Sequence, residues 1–185
     1  MSNYFVLDTN IISETLRNLK PQSVFKNIWG ALEEGIESGH IISVDEVYRE
    51  LGNWEQAKNS EMWEWLKANK KAFQATTNEE GQIVAEIYKH PKFREGIKEK
   101  SMRTGTPEAD AFLVAKTKNT NGILVTQEKY RNHSAKIPNI CEEFDVLYVD
   151  RDNFYKILDN IYNNRDALKD ITFGSFEDDT DKSGA

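Results

Sequence analysis

The side chains of this sequence with the most chemical reach are carboxylates that follow short apolar runs. Asp8 closes Tyr4-Phe5-Val6-Leu7 and precedes Thr9-Asn10. Glu46 and Glu50 follow His40-Ile41-Ile42-Ser43, and Glu128 lies just past Ile123-Leu124-Val125-Thr126. Asp110 sits among Ala109, Ala111, Phe112 and Leu113, a setting in which an idle carboxylate is costly. Carboxylates gathered at one point repel and hold their protons unless a cation neutralises them. An all-oxygen set of this kind suits Mg²⁺ or Mn²⁺, and no His or Cys pair stands at zinc spacing. The chemistry it would support is phosphoryl transfer, in which metal ions bind phosphate oxygens and activate water.

Each carboxylate also has a local explanation. Asp8 could serve as a strand-end turn former, but its place after a buried strand favours a site. Glu46 completes a capping box with Ser43, so it reads as part of a helix start. Glu50 lies one turn further along the same face and has no local task, which favours function. Glu128, between Gln127 and Lys129, competes with a plain solvated loop position.

These residues need elements to bring them together. The runs 4–7, 40–43, 123–126 and 146–149 are short, apolar and β-prone, as expected of buried strands. Between them lie helical patterns. Residues 22–38 carry Val24, Phe25, Ile28, Trp29, Leu32 and Ile36, with Gly39 as the stop. Residues 54–103 show helical patterns alone, and Thr106-Pro107 reads as the cap and first residue of a helix through Ala115. Residues 152–163 form a last helix. The alternation predicts an α/β domain with a mostly parallel sheet, in which ligands bind outside the carboxyl ends of the strands. A single domain over residues 1–172, with a helical insertion at 54–103 and an acidic tail at 173–185, accounts for the whole length.

Val6-Leu7-Asp8-Thr9-Asn10, Glu50-Leu51, the Asp110 segment and Val125-Thr126-Gln127-Glu128, in that order, resemble the PIN domain of VapC-type toxin ribonucleases. Within PIN-like proteins, Phe25 to Trp29 ahead of Ser38 to Ser43, and Lys136-Ile137-Pro138-Asn139-Ile140-Cys141, resemble a family catalogued as a domain of unknown function. The resemblance implies a three-layer α/β/α fold and Mg²⁺ or Mn²⁺ bound by Asp8, Glu50, Asp110 and Glu128. It also implies endoribonuclease activity, often as the toxin of a toxin–antitoxin pair, and frequent homodimers. The expected reaction is hydrolysis leaving 5′-phosphate and 3′-hydroxyl ends. Thr9 and Asn10 would support the site, Thr9 by bonding a metal-held water or orienting Asp8 and Asn10 by contacting the scissile phosphate, though both suit a plain turn equally well. One departure stands out: the last carboxylate, usually Asp, is here Glu128.

The formal charge of −7 runs against a nucleic-acid partner, since phosphate contacts need Lys and Arg. Four acids and one Lys fall in the tail, however, and the four proposed ligands account for the remaining −4. A basic stretch, Lys89, Lys92, Arg94, Lys98, Lys100 and Arg103, leads toward Asp110; a charge run is usually a solvated face, but beside the site it could instead grip RNA backbone. Trp54, Trp63, Trp65 and Phe73 have the spacing of core residues more than of base-stacking ones. A lone cysteine, Cys141, excludes an internal disulfide, and no run approaches the ~20 apolar residues of a membrane span, so a cytoplasmic protein is expected. Haloacid-dehalogenase chemistry would want Asp, not Asn, at position 10, and a receiver domain would want adjacent acids near the first strand. A catalytically inert PIN-like module that binds RNA or protein, and a metal-dependent DNase or phosphatase, stay open as alternatives.

Overall fold

In a computed structural model, residues 4–18, 23–55, 60–97 and 109–163 are described. Five strands form one parallel sheet: β1 (Phe5–Leu7), β2 (Ile41–Val44), β3 (Phe73–Gln74), β4 (Ile123–Val125) and β5 (Tyr148–Val149), in the order β3-β2-β1-β4-β5. The helices are α1 (Thr9–Asn18), α2 (Lys26–Glu37), α3 (Asp45–Glu55), α4 (Glu61–Ala68), α5 (Asn78–Lys89), α6 (Asp110–Thr120), α7 (Ile137–Glu143) and α8 (Arg151–Asn163). The expected α/β fold, with a parallel central sheet flanked by helices, is what the chain adopts.

Layering follows from the strand order. From β1 the chain moves outward to β2 and β3, then crosses back to β4 and β5. Right-handed crossovers therefore put the connections of the first half and of the second half on opposite faces. Accordingly α5 packs on α6, and α2 packs on α8. The strands are buried on both sides, which is why they read as unbroken apolar runs: Phe5, Val6, Leu7, Ile41, Ile42, Ile123, Leu124 and Val125 are all core residues. Gly122 lets the chain enter β4, because a Cβ there would stand 2.7 Å from the Tyr4 carbonyl oxygen.

Two expectations need correction, and two helices add to those the sequence suggests. Ser43 does not cap a helix: it is within β2, and its buried hydroxyl donates to the Leu7 carbonyl at 2.7 Å across the sheet. The segment from 54 to 103 is not wholly helical, because Phe73–Gln74 adds the edge strand β3 beside β2. A two-residue strand carries too little period-2 signal to stand out from its helical surroundings. Helix α1 starts directly at Thr9 and buries Ile11, Ile12, Thr15 and Leu16. Helix α7, also unforeseen, has Pro138 in its first turn. The Thr106-Pro107 helix start and the acidic tail lie outside the described residues.

The expected aromatic packing holds for Trp65 and Phe73, which are buried, and for Trp63 against Tyr48, whereas Trp54 is 49% exposed. Beneath β3 lies a buried ion pair. Lys116 on α6 meets Glu80 on α5 at 2.8 Å, with both side chains 3% exposed. Asn119 and the Thr77 backbone N–H also donate to Glu80, and Lys116 reaches the Ala75 carbonyl. Removing one partner strands a buried charge. Lys116→Met is therefore expected to lower the unfolding free energy by about 3 kcal/mol or more, read from urea denaturation at neutral pH.

Candidate active site

The strand order reverses direction between β1 and β4, so a crevice forms at their carboxyl ends. Leu7 pairs with Val125 in register, which sets Asp8 opposite Thr126. The Thr126 hydroxyl donates to Asp8 Oδ2 at 3.0 Å, and the Asp8 backbone N–H donates to the Val125 carbonyl at 3.1 Å. Asp8 is only 5% exposed. Burial, then the neighbouring charge of Asp110, then that of Glu128, push its carboxyl up to about 7, against the downward pull of Thr126 and the Thr9 backbone. The charges acting most on Asp8 are thus other carboxylates, and this is the arrangement that invites a cation.

Glu50, half-buried on α3, ties the starts of two other helices together. Its Oε2 accepts from the Thr9 hydroxyl at 2.7 Å, and its Oε1 accepts from the Ala109 backbone N–H at 3.2 Å. The second bond satisfies a donor at the start of α6, where no side chain of α6 itself provides a cap. The Thr9 hydroxyl therefore positions Glu50, while the Thr9 backbone bonds Asp8. Asn10 is exposed on α1, with its carbonyl accepting from Ser13. Asp110, half-buried, opens α6 next to the Glu50-bound amide.

Glu128 is turned partly to another task. Its Oε2 accepts from the Ile137 N–H at 2.9 Å, capping α7, and Lys136 stands 3.6 Å from its Oε1. Its own N–H donates to the Thr126 hydroxyl at 3.1 Å, so Thr126 links Glu128 to Asp8. Among the described residues no three Asp, Glu, His or Cys side chains form a ready-made metal cage. The four-carboxylate set expected of Asp8, Glu50, Asp110 and Glu128 is not assembled as one, because Glu50 and Glu128 each spend oxygens on backbone amides. The donor chemistry still fits a Mg²⁺-type ion. Such ions are usually held by one or two carboxylates, with water and substrate phosphate completing the shell, and Asp8 with Asp110 meets that need.

Of the basic residues proposed to bind substrate, Lys92 is paired with Glu143 and Arg94 with its neighbour Glu95 at 3.0 Å. Lys89 is exposed at the end of α5, and Lys98, Lys100 and Arg103 lie outside the described residues. Glu46 starts α3 beside Arg49, and burial raises its carboxyl. Cys141 is buried, and burial raises its thiol.

Thr126 was not assigned a role from sequence. The available signal was a hydroxyl directly after a buried strand, but its partner follows only from the β1–β4 register. Arg151 was likewise missed. It binds Glu14 at 2.6 Å and, in the amide orientation that satisfies both groups, Gln127, which braces the loop after β4 from α8.

A family model described as Domain of unknown function (DUF4411) matches residues 5–162. The chain belongs to that family. The span matched by DUF4411 runs from β1 to α8 and takes in Asp8, Glu50, Asp110 and Glu128. A search of curated proteins finds no match.

The raised Asp8 pKa has a stability consequence. Between about pH 4 and pH 7 the unfolded state has lost this proton while the folded state keeps it, so stability falls as pH rises through that window. The full shift corresponds to roughly 4 kcal/mol at most. Asp8→Asn removes the penalty. In chelator its melting temperature is expected to match wild type near pH 4 and to exceed it increasingly up to pH 7–8, as read by thermal denaturation. Mg²⁺ or Mn²⁺ should raise the wild-type value at pH 8 and leave the variant unmoved.

Proposed function

We propose that this protein is a Mg²⁺- or Mn²⁺-dependent endoribonuclease of PIN type. The observation that carries the reading is Asp8, a buried carboxylate at the β1–β4 switch point, facing Asp110 and Glu128 with its proton affinity raised to the neutral range. In a domain of ordinary stability such a group is retained at a cost, and binding a cation there converts the cost into affinity.

When bound, a divalent cation supplies phosphate polarisation, a lowered pKa for an attacking water, and stabilisation of the leaving oxygen. Asp8 and Asp110 would hold it directly, and Glu50 and Glu128 would act beside them. Glu50 keeps the starts of α1 and α6, and with them Asp8 and Asp110, at a fixed separation. Thr126 holds Asp8 Oδ2 as an acceptor and so favours the ionised form. The amino-terminal ends of α1 and α6 face the same crevice and favour negative charge there, whether carboxylate or phosphate.

The reading extends to a toxin whose partner is a cognate antitoxin protein, acting in the cytoplasm; it rests on the order and type of the motifs at Asp8, Glu50, Asp110 and Glu128. Homodimers belong to the same reading. Among the described residues no helix is long and apolar enough to cross a membrane.

Purified protein is expected to cleave single-stranded or structured RNA with Mg²⁺ or Mn²⁺, leaving 5′-phosphate ends, and to lose this activity in chelator and in Asp8→Asn or Asp110→Asn. Denaturing gels of end-labelled RNA read the result. Clean wild-type protein that cuts no RNA with either metal, or variants that cut as well as wild type, would sink the catalytic reading. Induced expression should arrest bacterial growth with the wild type and not with Asp8→Asn.

A further inference from the structure

The chain leaves the catalytic crevice through a loop of unusual composition. Thr126 touches Asp8, Glu128 follows two residues later, and the next residues are Lys129, Tyr130, Arg131, Asn132 and His133, all exposed. Tyr130 keeps 49% of its surface in water, a large aromatic with little packing of its own. No described carboxylate pairs with Lys129 or Arg131, in contrast to Lys92 and Arg94.

The loop is nevertheless held in one shape. Buried Asn139 on α7 grips the backbone of Arg131 at both ends: its Oδ1 accepts from the Arg131 N–H at 3.3 Å, and its Nδ2 donates to the Arg131 carbonyl at 2.7 Å. Glu128 closes the loop by accepting from Ile137 N–H. His133 adopts a left-handed backbone with φ of 57°, a conformation His takes up more readily than most residues and one that completes the turn at 132–133. Ordering exposed basic and aromatic side chains in advance lowers the entropy lost when they bind a ligand.

The neighbouring segment adds to the same surface. Tyr130 lies close enough to Lys92 to act on its charge, and a Cβ on Gly96 would stand 2.9 Å from the Ala135 side chain. Residues 92–97, with Lys92 and Arg94 among them, therefore run alongside the loop.

We propose that residues 129–136 form a preorganised binding loop for single-stranded RNA, with Lys129 and Arg131 on backbone phosphates and Tyr130 stacked on an unpaired base. The proposal rests on the nuclease reading of the adjacent site and names its substrate class. Separated cations around an exposed aromatic match a strand whose bases are splayed from its backbone; a duplex keeps its bases stacked inside and offers Tyr130 no face.

The test uses the full chain carrying Asp8→Asn, in Mg²⁺, with fluorescence anisotropy of a labelled mixed-sequence 12-nucleotide RNA and of its duplex. Adding Lys129→Ala with Arg131→Ala is expected to weaken single-strand binding at least about tenfold and to reduce the slope of log K against log salt by about 1.4. Tyr130→Ala should weaken the single strand about tenfold and leave the duplex within about twofold. Unchanged affinity and salt slope in the double variant, equal losses on both RNAs for Tyr130→Ala, or no RNA binding by the parent would each overturn the proposal. All three positions are exposed, so matched melting temperatures confirm intact folding. The two readings separate: metal-dependent cleavage that ignores the loop variants removes the loop and leaves the nuclease. Loop-dependent binding by a protein whose wild type cleaves nothing removes the nuclease and leaves the loop.

Discussion

The crevice between β1 and β4 is organised around the Asp8 carboxylate, placed where water scarcely reaches and answered by the Thr126 hydroxyl and the Thr9 backbone. Its burial follows from the parallel sheet, since the residue after β1 emerges between two covered faces. Thr126 meets it because Leu7 and Val125 pair in register, so a slip of one residue along β4 would turn that hydroxyl away. The like charges of Asp110 and Glu128 add to the desolvation, and together they hold the Asp8 proton into the neutral range. Such a group is poorly matched to an empty interior and well matched to a cation.

The remaining carboxylates set the geometry around it. Glu50 reaches from α3 to the Thr9 hydroxyl and the Ala109 amide, so that one side chain joins the starts of two helices that are remote in sequence. Both starts present backbone donors and a positive dipole end to the crevice. Glu128 reaches the other way, to the start of α7, and its longer arm lets it cap that helix while its charge still acts on Asp8. The departure from the shorter Asp thus has a structural use in this chain.

The charge of the molecule is partitioned rather than uniform. Within the described residues, Lys92 and Arg94 are largely answered by Glu143 and Glu95, whereas Lys129 and Arg131 are not. A net charge of −7 therefore coexists with a basic rim next to the crevice carboxylates.

What the sequence determined by itself was the alternation of apolar runs and helices, and hence the parallel sheet, because a strand buried on both faces must be apolar throughout. It also marked Asp8 and Asp110, since a carboxylate after a buried strand or inside an apolar helix start is conspicuous without any fold in hand. The start of α1 was hidden because Asp8-Thr9-Asn10 is equally good turn chemistry, and β3 was hidden because two residues carry no period. Ser43 was misread for a related reason: a hydroxyl three residues before Glu46 looks like a cap until the sheet shows it bonded to Leu7. Only the tertiary structure decided that Thr126 serves Asp8, that Thr9 serves Glu50, and that Glu128 and Asn139 fix the loop between them. Two of these bonds join elements distant in the chain, and all depend on strand register and helix placement. Local pattern sets which elements form; which side chains meet is set by how those elements pack.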